Sequence, residues 1–142
     1  MQDLKILIIT SNAALSAAAA GAFAAARVQA TGLPACRHFS ARPDPGFLLV
    51  LLDLAVLGPD KIAELKAFLV LARGLSVIAM FEAGRTPDRV IVEILSAGAD
   101  DAMSNATEIP LLVAKTKAHL RRLAAQEQAD CDAGGLNRGS GI

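Results

Sequence analysis

A chain of 142 residues, 54% hydrophobic and 20% charged, has the size and balance of one folded domain and not of a disordered segment. Fourteen basic residues offset fourteen acidic ones, which excludes the basic excess of a dedicated nucleic-acid binder, and the absence of Trp and Tyr removes the usual platforms for stacking bases or sugars. Cys36 and Cys131 stand far apart in no metal-like spacing and read as free thiols of a reducing cytoplasm, while the alanine-rich run AALSAAAAGAFAAA is too short to span a bilayer.

In chain order, LKILIIT (4–10) is a β-branched apolar run that predicts a strand covered on both faces. Ser11 or Asn12 can cap the helix that follows, in which Leu15, Ala18, Ala19, Ala22, Phe23 and Ala26 recur at helical spacing. RVQAT (27–31) reads as a weaker edge strand, and PACRHFSAR (34–42) as a short helix opened by proline. FLLVLLDL (47–54) is the central strand, with Asp53 as the sole charge in an apolar run. PDKIAELKAFLVLAR (59–73) predicts a helix stopped by Gly74, and SVIAMFE (76–82) a further buried strand. TPDRVIVEILSAG (86–98) predicts a helix with Thr86 as N-cap and Gly98 past its end. DDAMS is a short strand, and TEIPLLVAKTKAHLRRLAAQE a final helix with basic residues toward its C-terminus. The folded unit is expected over 1–124, with a flexible tail over 125–142.

Strand and helix thus alternate five times. That predicts an α/β fold: a flavodoxin-like, doubly wound, five-stranded parallel sheet of order 2-1-3-4-5 with five helices. Ligands of such sheets bind at the carboxyl ends of the strands, where the strand order switches. Asp53, at the end of the third strand, and Thr10–Ser11, at the end of the first, are expected to flank that crevice.

LKILII, LLVLLDLAVLG, VIAM and AGADDAMS, in that order and spacing, resemble the receiver domain of bacterial two-component response regulators over residues 3–124. LLVAKTKAHLRR is similar to the last helix of the branch that carries a winged-helix DNA-binding domain. The resemblance implies that Asp53 stands at the phosphoacceptor position. It places Thr10 and Ser11 where the family has two acidic Mg²⁺ ligands, and Phe81 where it has a Ser or Thr for a phosphoryl oxygen. Asn105 falls at the charge-neutralising lysine and Ala102 at the aromatic switch. Leu57 and Lys61 also depart from the usual proline and glycine of the loop after the aspartate.

Phosphoryl transfer needs positive charge where negative charge develops, and Mg²⁺ prefers carboxylate oxygens. With those groups missing, the expectation is a degenerate (pseudo-)receiver without a Mg²⁺ site, in which Asp53 is held structurally by Thr10, Ser11 or loop N–H groups. It would be a cytoplasmic signalling module working through protein–protein contact, not an enzyme, and binding neither nucleic acid nor membrane by itself. Two alternatives stay open. One is an unorthodox receiver phosphorylated at Asp53 by a histidine kinase; the other is a flavodoxin-like module holding a small anion above Thr10–Asn12.

Other candidates carry less. His38 and His119 are single histidines without a ligand cluster. Asp100 and Asp101 are strand neighbours, so their side chains should point to opposite faces. The fourth predicted helix is apolar almost all round; the resemblance turns Val92 and Leu95 to the sheet, which leaves Ile91 and Ile94 outward. Together with Asp100, Asp101, Lys115 and Lys117 they outline a face of fourth helix, fifth strand and fifth helix, suited to a homodimer or a protein partner.

Overall fold

The computed structural model describes residues 4–39 and 46–140, with side chains as far as residue 126. Its strands and helices are β1 (Leu4–Ile9), α1 (Ala13–Ala25), β2 (Val28–Leu33), β3 (Phe47–Asp53), α2 (Lys61–Leu71), β4 (Ser76–Phe81), α3 (Asp88–Ser96), β5 (Asp101–Ser104) and α4 (Ile109–Ser140). The strands form one five-stranded sheet, order β2-β1-β3-β4-β5, and every neighbouring pair is parallel. This is the expected strand order.

Both faces of the sheet are covered, which is why β1 and β3 are apolar at consecutive positions. Alternation sorts the side chains. Leu7, Ile9, Val50, Leu52, Val77 and Ala79 enter one cluster with Leu65 and Phe68 of α2 and Ile94 of α3. Ile6, Ile8, Leu49, Leu51, Ile78 and Met80 enter the other with Ala19 and Phe23 of α1 and Leu112 and Leu120 of α4. Burying each such Leu or Ile contributes about 1.5–3 kcal/mol. Local signals begin and end the helices. Asn12 caps α1, its Oδ1 accepting from Leu15 N at 3.1 Å, and Asp60 caps α2 through Ala63 N at 3.3 Å. Gly74 (φ 93°) and Gly98 (φ 120°) take the positive φ that reverses the chain after α2 and α3.

The fold departs from expectation in four places. First, the described residues contain four helices and not five. Of the helix expected over 34–42, Cys36–His38 form a single 3₁₀ turn; Phe39 then becomes extended and buries its ring against Phe68, centroids 5.0 Å apart. The expected fourth and fifth helices are therefore α3 and α4, and residues 40–42 lie outside the described residues. Second, Thr86 is not the cap of α3. Pro87 holds that position, and Thr86 Oγ1 donates to Glu82 O at 2.9 Å.

Third, α3 is rotated from its expected face. Ile94 is fully buried (0% exposed) and Ile91 half-buried, whereas Val92 is 61% and Leu95 44% exposed. Val90, Ile94 and Ala97 form the stripe against the sheet, at spacings of four and three. Fourth, the helical backbone of α4 runs on to Ser140, past the end at 127 expected for the final helix, and Leu123 is the last of its described side chains packed against the core. No helix among the described residues is long and apolar enough to cross a membrane. Cys36 is free and half-buried; burial, then the Glu64 carboxylate, pushes its thiol up from the ordinary range. The side chain of Cys131 lies outside the described residues.

Candidate functional site

Three side chains of one parity meet at the carboxyl end of the sheet. Asp53 continues the Leu49–Leu51 alternation of β3, Thr10 continues Ile6–Ile8 of β1, and Asn105 follows Met103 of β5. Asp53 Oδ2 accepts a hydrogen bond from Thr10 Oγ1 at 2.8 Å. Its Oδ1 accepts from Ala55 N at 3.1 Å and, at the long limit of 3.5 Å, from Asn105 Nδ2. Thr10 Oγ1 in turn accepts from Asn12 N at 3.1 Å, so the hydroxyl is used on both sides.

The aspartate sits at the end of β3, closed off from solvent. It is 4% exposed beneath Thr10, itself 3% exposed. A buried carboxylate is tolerated when its oxygens are met by donors, and here they are met by a hydroxyl, a backbone N–H and an amide.

The other positions singled out by the sequence go elsewhere. Ser11 is exposed, and no hydrogen bond joins it to Asp53 among the described residues. Phe81 and Ala102 turn to the opposite face and pack on the cluster under α2 and α3. Phe81 adds only its backbone carbonyl, which accepts from Asn105 N at 2.8 Å. No group of three or more His, Cys, Asp or Glu able to hold a metal ion occurs among the described residues.

One residue of the site was missed. Lys61 Nζ donates to Leu54 O at 3.0 Å and to Leu57 O at 3.1 Å, clamping the 3₁₀ turn Leu54–Val56 that follows Asp53. Its charge is thus engaged by carbonyls on the loop. A lysine in the first position of a helix opposes the helix dipole, and that is the sequence signal that it has another partner.

Asp100 and Asp101 diverge as expected. Asp100 Oδ2 accepts from Val77 N at 2.8 Å, while Asp101 Oδ2 meets His119 Nε2 at 2.8 Å and ties β5 to α4. That histidine pairing was not foreseen. Lys115 is exposed and Lys117 half-buried.

This architecture is the fold of response-regulator receiver domains. The signal receiver domain of a LuxO repressor protein from Vibrio parahaemolyticus superposes with a TM-score of 0.75 at 18% identity, over 90% of this chain and 98% of that one. A CheY-like response regulator receiver domain protein from Methanospirillum hungatei gives 0.73 at 19%, over 88% and 99%. An orphan response regulator of H. pylori gives 0.69 at 17%, over 82% and 96%. At such identities the likeness is one of fold. No family model and no curated protein matches the sequence.

Proposed function

We propose that the chain is a degenerate receiver domain that signals through protein–protein contact without phosphorylation. The observation that carries this reading is the surroundings of Asp53. Both carboxylate oxygens already have donors, and the resemblance aligns Thr10, Ser11, Phe81 and Asn105 with the two acids, the hydroxyl and the lysine that receivers use for phosphoryl transfer. The nearby Lys61 ammonium is held by two carbonyls. A phosphoryl group arriving at Asp53 would bring charge into a buried site with no cation among the described residues placed to meet it.

The test is mass spectrometry after incubation with acetyl phosphate at millimolar Mg²⁺. No gain of one phosphoryl group is expected. A gain that vanishes in Asp53→Asn would replace this reading with that of an unorthodox phosphorylated receiver.

The contact face follows α3, β5 and α4, with its apolar members reassigned. Val92 and Leu95 supply the exposed apolar surface of α3 in place of Ile91 and Ile94, and Leu111, 50% exposed, stands one turn from Lys115 on α4. The Asp101 side chain, engaged by His119, remains 39% exposed. In a two-fold dimer each of these groups acts twice, so a few apolar side chains suffice, while charges such as Lys115 set register. Light scattering should show a dimer that becomes monomeric in Val92→Glu/Leu95→Glu and does not respond to phosphodonor. A wild-type chain that stays monomeric at about 100 μM, a concentration that tests for binding stronger than roughly 5 kcal/mol, and captures no partner through this face would remove the dimer and the docking face together.

A further inference from the structure

A cavity of about 300 Å³ opens on the α2–α3 side of the sheet, opposite the face that holds the Asp53 cluster. Its apolar wall is built by Ile62, Phe81, Val90 and Ile94. Its polar groups are Lys61, Glu82, Arg85 and Thr86. The volume lies at the small end of the range for ligand pockets, about 300–1,000 Å³, and an apolar wall with a few convergent polar groups is their usual make-up.

The charges at this mouth are unequal in availability. Lys61 is held by the carbonyls of Leu54 and Leu57, and Thr86 Oγ1 donates to Glu82 O. The Arg85 guanidinium has no hydrogen bond or ion pair among the described residues, and none joins it to Glu82. It sits in the β4–α3 loop, one residue after Gly84, whose φ of 76° turns the chain.

We propose that this cavity binds a small amphipathic monocarboxylate, with its carboxylate on Arg85 and its apolar body against Phe81, Ile62 and Val90. Single charge is specified because, among the described residues lining the cavity, Arg85 is the one cation whose side chain has no partner; a phosphate dianion would meet too little positive charge, and it would leave the apolar wall wet. Leu54 and Ala55 form another part of the wall, and the Ala55 N–H is the donor to Asp53 Oδ1. An occupant would therefore touch the turn that holds the buried aspartate.

The inference does not rest on the reading of Asp53: phosphate found on Asp53 would overturn that reading, while the following titration, made on the unphosphorylated chain, tests the cavity alone. The probe is phenylacetate, with phenethyl alcohol as its neutral counterpart, followed by amide chemical shifts of the intact chain. Saturable shifts are expected at Ala55, Ile62, Arg85 and Val90, with a dissociation constant of about 1 mM or tighter. Arg85→Ala, an exposed and unpartnered position, should weaken phenylacetate about three- to fivefold and leave the alcohol unchanged. Phenethyl alcohol should bind more weakly than the acid. Absence of saturable shifts overturns the proposal. Equal affinity for acid and alcohol, or shifts confined to Ser11 and Asn12, overturn it as well.

Discussion

Ile94→Glu is expected to unfold the chain, whereas Val92→Glu, two residues away on the same helix, is expected to fold like the parent. Ile94 is 0% exposed within the cluster between the sheet and α2–α3. The substitution removes about 1.5–3 kcal/mol of apolar burial and forces a carboxylate, or its protonated form, onto a fully buried apolar position, at several kcal/mol more. Against a total stability of about 5–15 kcal/mol for a domain of this kind, little or nothing remains. Val92 is 61% exposed, and a polar replacement there should change stability by no more than about 0.5 kcal/mol. Thermal denaturation followed by circular dichroism checks both. A cooperative transition in Ile94→Glu together with its loss in Val92→Glu would return α3 to the face the sequence first suggests.

Thr10→Val should lower stability by about 1.5–3 kcal/mol, the usual loss when a hydrogen bond to a charged group is removed. The change conserves shape and deletes the donor to Asp53 Oδ2, leaving that oxygen buried without its hydroxyl. It also takes the acceptor from Asn12 N at the start of α1. Removing both ends of the bond distinguishes a structural carboxylate from an idle one. Thr10→Val/Asp53→Leu should be less destabilised than the sum of its two singles, because no half-partnered charge is left behind. Urea unfolding of the four proteins gives the coupling energy. Strict additivity would mean that Thr10 and Asp53 do not hold each other.

The strand order was legible because each buried strand announced itself as a short apolar run, and parallel strands joined by helical crossovers leave few topologies. The position of Asp53 at a strand end was legible for the same reason. Its burial was not: closure over it depends on Thr10 and Asn105, distant in sequence and brought together only by the sheet. The face of α3 was legible but went unread: Arg89, Glu93 and Ser96 mark a polar side, and Val90, Ile94 and Ala97 lie away from it. The stretch over 34–42 looked helical from its proline and its composition, yet Phe39 gains more by extending into the core beside Phe68. The pairing of His119 with Asp101 left no local trace, because the helix and strand that carry it meet only in the folded chain.

The central position of β3 has a consequence for how the chain leaves the ribosome. β1 and β2 are made first and can pair, but the other edge of β1 waits for β3, whose Leu49 and Leu51 lie beside Ile6 and Ile8. On the same face the layer begun by α1 is completed only by α4, the last helix described. A nascent chain that has reached α1 and β2 therefore shows an apolar strand with one open edge and one half-covered face. Such edges attract other chains, and long-range parallel pairing forms slowly. The interval between emergence of β2 and arrival of α4 is therefore when the chain exposes the most apolar surface and open strand edge to aggregation.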